Sequence, residues 1–431
     1  MGRLSIINVN SPTNKLTAFD CSIMITRDEF PYLQELIVND AYAVKNLRIP
    51  VFEAGQPFKH LILTGRNGSG KTTVLQALVR VIRYDAANGQ VTKIKVNQLK
   101  YSIATGDYPQ HTATWQNEVA ELSKVEPHFT SNNSADYKGF AHNVNQIIIT
   151  FFEATRKIQV KDVATIARED ELEKQLLQSQ PNQSPAALFK QYLVNKKVFQ
   201  VFDTMEGKQE GAKQQEQFFT KLEYTLAKIF EDPDIKLEFV RENFEFYINL
   251  SDGRRFTFNQ LSAGFSAFLS ILTELLMRTD LLRKQANDYT YDPCGFVLID
   301  EPETHLHLEM QYQILPLLTS LFPNLQFIVA THSPAVASSI KGATVFDLST
   351  GEVLGDEAAG SSYSELMQTH FGVENEYSNV ADEIIADIKR IVKVPDHEQA
   401  RRQLLDLLAE KGRYMSSGLR LEIEAQLIGL E

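Results

Sequence analysis

One segment of the sequence combines glycines, a lysine and hydroxyl residues at a spacing that suits a triphosphate. Residues 65–72 fit the pattern G-x-x-x-x-G-K-[ST], and Thr73 follows them. Glycines let such a loop wrap so that its backbone N–H groups point at phosphate oxygens. The Lys71 ammonium can reach the β- and γ-phosphates, and the Thr72 hydroxyl can ligate Mg²⁺. The candidate phosphate-binding residues are Gly65, Arg66, Asn67, Gly68, Ser69, Gly70, Lys71, Thr72 and Thr73.

A pair of acidic residues follows a second apolar run farther along the chain. Asp300 and Glu301 end the run that begins at Gly295, and Pro302 follows them. Neighbouring acids at the carboxyl end of a strand are costly to bury without a cation nearby, which favours a metal role over an exposed acidic turn. The Asp300 carboxylate can coordinate Mg²⁺ within its ligand shell, and Glu301 can polarise a water in line with the γ-phosphate.

Two further positions complete the candidate set. His332 closes the next apolar strand, at the sheet end where ligands gather in open α/β proteins, so it can hydrogen-bond a γ-phosphate. Residues 260–266 open a long apolar helix, and Ser262 there is a plausible N-cap. Its hydroxyl and the free N–H groups can alternatively bind a phosphate that a second copy of the protein presents. His305 and His307 lack further metal ligands, and we expect them at a surface or interface.

The elements that must position these residues are apolar strands alternating with helices. Strands are predicted at 60–64, 147–152, 236–240, 244–250, 295–300 and 325–331, with helices after residue 70, at 261–282 and at 308–321. This alternation predicts a parallel sheet with helices on both faces. Residues 1–60 alternate as in an antiparallel β unit, for example at 4–7 and 18–25, whereas residues 90–145 are polar and irregular.

We divide the chain into four segments. These are 1–165, which carries the glycine loop; 166–232, a helical insertion broken near Pro181 and near 207–211; 233–350, which carries the acid pair and His332; and 351–431, an acidic helical extension. The last 81 residues hold 16 acidic and 8 basic side chains, and the net charge of the chain is −12. That negative charge argues against a protein that binds nucleic acid over most of its surface.

Two cysteines and the absence of an apolar signal core favour a reducing, cytoplasmic location. No apolar run reaches the roughly 18–20 residues that cross a bilayer, so we expect no membrane partner.

The motifs, taken in order, resemble those of the ATP-binding-cassette ATPase fold. They are 65–72, 261–264, 298–301 and His332. The continuation of the acid motif through the Leu-His pair at 306–307, together with 331–334, is more similar to the soluble SMC-like and OLD-like branch. Short words at 363–366 and 371–373 are similar to ATPase subunits of bacterial phage-defence systems of the Septu, PARIS and retron-associated types.

This resemblance implies an α/β P-loop NTPase of the ABC-ATPase head type. It would have an N-terminal antiparallel β portion, a short helical insertion and a C-terminal helical extension. It also implies a head-to-tail homodimer, or a higher homo-oligomer, that sandwiches two ATP molecules. Ser262 and Gly264 of one copy would complete the ATP site of the other.

The resemblance implies a role for each chemical group. Lys71, Thr72 and Asp300 would hold ATP and Mg²⁺. Glu301 would be the general base for ATP hydrolysis, and His332 would contact the γ-phosphate.

Three features depart from the family pattern. The helix-opening motif reads Leu-Ser-Ala-Gly-Phe rather than Leu-Ser-Gly-Gly-Gln. The glutamine that usually links the nucleotide to the second lobe has no clear counterpart, because Gln146 precedes its strand. The insertion at 166–232 is too short for the long coiled coil of true SMC proteins.

Two functions follow as alternatives. One is an ATPase switch that regulates an effector in anti-phage defence, namely a nuclease in trans that docks on the acidic C-terminal helices. The residues after His332 read as helix and lack the acidic pattern of a TOPRIM nuclease. The other is a DNA repair or replication ATPase of the RecF/SMC-like type that grips duplex DNA.

The DNA alternative needs a basic surface, and the sequence does not concentrate basic residues in one place. The candidates are scattered among acids: Lys93, Lys95, Lys100, Lys196, Lys197, Arg254 and Arg255. A transporter subunit is disfavoured by the 302–307 continuation and by the Ala-Gly-Phe of the helix-opening motif. A decayed, non-hydrolysing protein is disfavoured because every group that the reaction needs is present.

Overall fold

Strands and helices alternate through most of the chain, as the apolar patterning predicts. The computed structural model describes residues 24–88, 92–106, 109–130, 146–156, 161–177, 185–354 and 379–429. The strands are β1 (Leu33–Ala41), β2 (Val44–Pro50), β3 (His60–Thr64), β4 (Val125–Phe129), β5 (Ile148–Phe152), β6 (Lys236–Val240), β7 (Glu245–Asn249), β8 (Arg255–Thr257), β9 (Gly295–Asp300), β10 (Leu325–Ala330), β11 (Ala343–Asp347) and β12 (Glu352–Leu354). The helices are α1 (Lys71–Asn88), α2 (Thr92–Thr105), α3 (Thr112–Leu122), α4 (Glu169–Leu177), α5 (Phe189–Met205), α6 (Gln209–Phe230), α7 (Ala263–Ala286), α8 (Leu308–Leu321), α9 (Pro334–Ala337), α10 (Asn379–Ile391), α11 (His397–Lys411) and α12 (Ser417–Gly429).

A six-stranded sheet forms the centre of the fold. Its strand order is β12-β11-β3-β10-β9-β5, and all neighbours are parallel except β12, which pairs antiparallel with β11. Every residue of β9 and β10 is buried, as near-continuous apolar runs require when both faces of a sheet are covered. The predicted parallel α/β sheet is therefore confirmed. The carboxyl ends of β3, β9 and β10 lie at one edge of this sheet.

Two apolar cores cover the two faces of the central sheet. Alternation along β3 sends Leu61 and Leu63 into the core that contains α1 and the β2-β1-β4 sheet, and Ile62 into the core that contains α7 and α8. Gln326 links the first of these layers to the sheet. Its buried amide accepts from Leu33 N at 2.7 Å and donates to the carbonyls of Leu33 and Lys59 at 2.9 and 2.8 Å. The satisfied amide therefore fixes β1 beside β10.

Residues 90–145 were predicted to be irregular, and that prediction is wrong for the part that the structure describes. This region contains α2, α3 and β4. In α2 the buried positions are Thr92, Val96 and Leu99, about one per turn, whereas the apolar side chains of Ile94 and Tyr101 are exposed. So narrow an apolar stripe does not stand out as a periodic pattern in the sequence. The N-terminal antiparallel unit is present as β1 and β2. Residues 4–7 and 18–23 lie outside the described residues, and 24–25 are not in a strand.

The insertion contains α4, α5 and α6. The predicted break occurs at Gly207, which has a φ of 75° between α5 and α6, but Gly211 lies inside α6 and Pro181 is outside the described residues. The antiparallel sheet β6-β7-β8 follows. The segment boundaries at 165, 232 and 350 stay predictions.

The C-terminal helices α10, α11 and α12 share a core of their own. It includes Ile384, Ile388, Leu404 and Ile423, and it is separate from the two cores of the sheet. The segment 379–429 carries nine acidic and eight basic side chains, so most of the acid excess after residue 350 lies within 355–378. The words at 363–366 and 371–373 fall in that span, outside the described residues. Across the ranges given above, no helix has the length and apolar content that a bilayer span needs.

His60 at the start of β3 makes the stability of the sheet depend on pH. Its Nδ1 accepts from Phe327 N at 3.1 Å, and burial, assisted by the charge of Arg27, lowers the pKa of His60 to about 4. Between pH 6.5 and 4 the unfolded chain takes up a proton that the folded chain does not. Folding stability therefore falls as the pH is lowered through this window, by about 3 kcal/mol from this group.

We predict that H60N removes this component, since the asparagine oxygen can still accept the Phe327 N–H. Denaturant unfolding of wild type and H60N from pH 7 to pH 4 should give a difference that changes by about 3 kcal/mol in favour of the variant. The matched control is H397N, at an exposed histidine. A difference between wild type and H60N that stays constant with pH would contradict the prediction.

Candidate nucleotide site

The glycine loop runs from β3 to α1 and is braced by residues at the end of β11. Gly65 has a φ of 131°, and a Cβ there would lie 2.7 Å from Ser349 Oγ and 2.9 Å from Asp347 Oδ1. Arg66 N donates to Ser349 Oγ at 2.7 Å, and Ser349 N donates to Asp347 Oδ1 at 2.7 Å. Only glycine fits the first position of the loop. Sequence reasoning missed Asp347 and Ser349, although Asp347 ends an apolar strand just as Asp300 does.

Lys71 is buried at the base of the loop. Its Nζ donates to the carbonyls of Gly65 at 2.8 Å and Arg66 at 3.1 Å, and to Ser69 Oγ at 3.4 Å. Burial lowers the pKa of Lys71, and the neighbouring carboxylates oppose that shift. Residues 66–68 are exposed, so the rim of the loop is open while its lysine is enclosed.

Thr72 and Asp300 form a pair of oxygen donors. Thr72 Oγ1 donates to Asp300 Oδ1 at 3.2 Å, although 228 residues separate them in sequence. Burial raises the pKa of Asp300. Adjacent ligands of an octahedral Mg²⁺ with bonds of 2.0–2.1 Å lie about 2.9 Å apart, so both the chemistry and the spacing of this pair fit Mg²⁺.

Glu301 and His332 face each other at the carboxyl ends of adjacent strands. Glu301 Oε1 lies 3.7 Å from His332 Nε2. Burial lowers the pKa of His332 below its usual range, and the charge of Lys71 acts in the same direction, so the imidazole is neutral at pH 7. A neutral imidazole can donate one hydrogen bond to a phosphate oxygen without adding charge.

Two residues of the site carried no signal that the sequence analysis used. Arg156 follows β5 and donates through Nη1 to Asp300 O at 2.6 Å and through Nη2 to Glu301 O at 2.8 Å. Glu303 Oε1 accepts from His332 N at 2.7 Å, and burial raises the pKa of Glu303. The available signals were an arginine just after an apolar strand and a second acid two residues after Glu301.

Ser262 and Gly264 lie at the start of α7. Ser262 is exposed and is the N-cap, with its Oγ accepting from Phe265 N at 3.5 Å. Gly264 is buried, and a Cβ there would lie 2.2 Å from His305 O. The start of α7 therefore packs on the loop that follows the acid pair. Whether these two residues reach a nucleotide held by a second copy stays a prediction.

His305 and His307 are both exposed, as expected. Among the residues that the structure describes, no group of three or more histidines, cysteines or acids is arranged to hold a metal by itself.

The chain matches one protein-family model over most of this region. The model is described as "AAA domain, putative AbiEii toxin, Type IV TA system" and matches residues 61–338. The span begins in β3 and ends just after α9, so it includes the glycine loop, the start of α7, the acid pair and His332. The match confirms the prediction of an ATPase with a P-loop NTPase fold.

The proteins to which the chain is similar include two curated relatives and one solved structure. It is 24% identical over 330 residues to Septu protein PtuA of Bacillus thuringiensis, which covers 76% of this chain and 77% of that protein. It is 39% identical over 93 residues to the retron Ec83 probable ATPase of Escherichia coli, which covers 22% and 17% of the two chains. These similarities confirm the predicted resemblance to ATPases of Septu and retron systems. A crystal structure of an Smc head bound to the C-winged helix domain of ScpA is 14% identical, with a TM-score of 0.38, over 74% of this chain and 94% of that one.

We predict that G264A destabilises the protein, because its Cβ would collide with backbone atoms of the 305–306 segment. Overpacking of this kind costs roughly 1–3 kcal/mol. The control is G418A in the first turn of α12, where a Cβ would meet only Ser416 Oγ at 3.9 Å. That change should be neutral or stabilising by up to about 1 kcal/mol. Thermal unfolding should therefore give a midpoint that falls for G264A and stays or rises for G418A, and equal shifts would contradict the predicted collision at Gly264.

Proposed function

We propose a function for this chain, which belongs to the AAA-domain family whose model matches residues 61–338. It is a Mg²⁺-dependent ATPase switch that closes as a dimer around ATP. The switch controls an effector in anti-phage defence. The observation that carries the proposal is the convergence of Lys71, Thr72, Asp300, Glu301 and His332 at one edge of the central sheet. Strand ends at this edge are the usual ligand site of open α/β sheets.

The side chains divide the work of hydrolysis. Lys71 and the N–H groups of the loop would bind the β- and γ-phosphates, and Thr72 with Asp300 would hold Mg²⁺, which neutralises charge that develops on the phosphate oxygens. Glu301 would accept the proton of the attacking water. His332, which is neutral and lies 3.7 Å from Glu301, would donate a hydrogen bond to the γ-phosphate. Its contacts would therefore differ between the ATP-bound and ADP-bound states.

The dimer is proposed because Ser262 is exposed and yet tied to the site in its own chain. Ser262 caps α7, and Gly264 of the same turn rests on His305, five residues after the Mg²⁺-binding acid. A nucleotide phosphate that touched Ser262 of a second copy would therefore press on the acid loop of that copy. ATP binding would favour the closed dimer, and hydrolysis would release it.

The effector and the defence role are supported by the relatives and by the C-terminal helices. Both curated relatives are named after Septu or retron systems. The three helices at 379–429 have a core separate from the ATPase, so they can carry a docking surface without disturbing the site. We propose that a nuclease in trans binds this extension, together with the acid-rich segment 355–378.

The alternative of direct duplex-DNA binding is weakened by the ion pairs of three of its basic candidates. Lys93 pairs with Glu126 at 2.7 Å, Arg254 with Asp252 at 2.7 Å and Arg255 with Glu238 at 3.1 Å. Side chains paired in this way are partly neutralised before any phosphate arrives.

We predict that E301Q retains ATP binding and loses hydrolysis by at least about 100-fold, because the general base is removed while the phosphate ligands stay. Steady-state phosphate release and equilibrium binding of labelled ATP measure the two quantities. Unchanged turnover would refute the assignment of Glu301 as the base.

We further predict that the E301Q protein doubles its mass in solution when ATP and Mg²⁺ are added. Adding S262E to E301Q should prevent this dimerisation, while the double variant still binds ATP. The matched control is S416E, since Ser416 is an exposed N-cap of α12 and its Oγ accepts from Leu419 N at 3.3 Å. Light scattering after size exclusion reports the mass. Doubling that survives S262E, or that S416E also abolishes, would overturn the trans role of Ser262.

The effector proposal predicts nucleotide-dependent capture of the product of a neighbouring open reading frame by the full chain. The tagged E301Q chain should retain that product differently in ATP and in ADP, because only ATP closes the dimer. Equal capture in both nucleotides, or no capture, would leave the ATPase intact and remove the switch from the proposal.

A further inference from the structure

We propose that Arg156 is a positioning residue for ATP hydrolysis, which clamps the backbone of Asp300 and Glu301 so that the Glu301 carboxylate faces His332. The inference rests on the proposed function of Glu301 as the general base and adds a residue that lies outside the motifs. Arg156 lies in the segment after β5, the edge strand of the central sheet, and β5 pairs with β9 along its length.

The guanidinium binds three carbonyl groups at once. Nη1 donates to Glu153 O and to Asp300 O, both at 2.6 Å, and Nη2 donates to Glu301 O at 2.8 Å. The rigid planar fork of arginine can hold two consecutive carbonyls in a fixed relative orientation. A lysine has the same charge but offers a single nitrogen, so it cannot reproduce this arrangement.

Glu301 needs such a clamp because its backbone conformation is unfavourable. Its φ is 46°, a region that non-glycine residues rarely adopt. Its N–H continues the sheet by donating to Ala330 O at 2.8 Å, whereas its carbonyl turns to Arg156 and to Thr304 Oγ1, the latter at 2.9 Å. Strained residues persist where surrounding contacts over-determine them. Here the contacts on both sides of Glu301 fix the direction of its side chain.

The charges around Arg156 agree with this role. Burial lowers the pKa of Arg156 to about 10, and Glu303, Asp300 and Glu301 oppose that shift, so the guanidinium keeps its charge at neutral pH. Glu303 in turn holds the loop of His332 through its 2.7 Å hydrogen bond to His332 N. Arg156 thus holds the backbone of Glu301, and Glu303 holds the backbone of His332, the two residues whose side chains approach to 3.7 Å.

The experiment compares R156K with wild type in three measurements: the Kd for ATP, the midpoint of thermal unfolding and kcat. We expect kcat to fall at least tenfold while the Kd stays within about twofold, because the phosphate ligands are untouched. R156Q, which keeps two N–H donors without the charge, is the second variant should R156K fold poorly. The matched control is R283K, since Arg283 Nε also donates to a backbone carbonyl, Tyr291 O at 2.6 Å, while its Nη2 pairs with the Asp292 carboxylate. R283K should leave kcat unchanged.

A double-mutant cycle with E301D separates positioning from general support of the fold. E301D retracts the carboxylate by one methylene, so misplacement by R156K should add little to it, and the double variant should be far more active than the product of the two single losses predicts. Multiplicative losses, an unchanged kcat in R156K, or an equal loss in R283K would overturn the inference. If wild type hydrolysed no ATP, or E301Q hydrolysed it normally, the proposed function itself would fail.

Discussion

The site depends on electrostatic compensation between charged groups that are gathered at one partly buried edge of the central sheet. Burying each of these groups without a partner of opposite charge would be unfavourable. Four carboxylates lie around Lys71 and oppose the shift of its pKa: Glu301, Asp300, Asp347 and Glu303. Two cations of the described residues lie among these carboxylates, Lys71 and Arg156. Burial raises the pKa of Asp300 and of Glu303 and lowers that of both cations, so each sign is tolerable only beside the other. Because the acids outnumber the bases, the edge also suits a divalent cation.

The same constraint explains why loops that are distant in sequence are tied together at this edge. Ser333 Oγ donates to Gln311 Oε1 at 2.6 Å, and Gln311 Nε2 donates to Leu306 O at 2.8 Å. The residue before Leu306 is His305, whose carbonyl lies against Gly264. A continuous set of contacts therefore runs from the start of α7, through the acid loop, to the histidine loop. These contacts connect Ser262 to His332 by a route that does not pass through the strands of the sheet.

The C-terminal extension is stabilised by apolar packing rather than by compensation between charged groups. Its helices are held by apolar contacts among themselves, and its described part is nearly balanced in charge. The concentration of acid that suggested a docking surface belongs largely to the 355–378 segment that joins this bundle to β12. Because the ATPase head and the helical bundle have separate cores, the stability of one can change without that of the other, as the proposed control of an effector requires.

Much of the fold could be predicted because the decisive signals are local. The glycine loop, the buried strands β3, β9 and β10, and the N-cap at Ser262 each lie within a few consecutive residues. The helices α2 and α3 could not be predicted, because their few buried side chains leave no clear period in the sequence.

The sequence by itself determined which chemical groups are present and which end of which strand carries them. Only the tertiary structure decided which groups meet. Arg156 and Asp300 are 144 residues apart, and Arg66 and Ser349 are 283 apart. Their pairing depends on the strand order β11-β3-β10-β9-β5 and its parallel register, in which Asp300 lies beside Ala330 and Asp347 beside Thr64. That order is set by how two cores pack on one sheet, and no local pattern of residues encodes it.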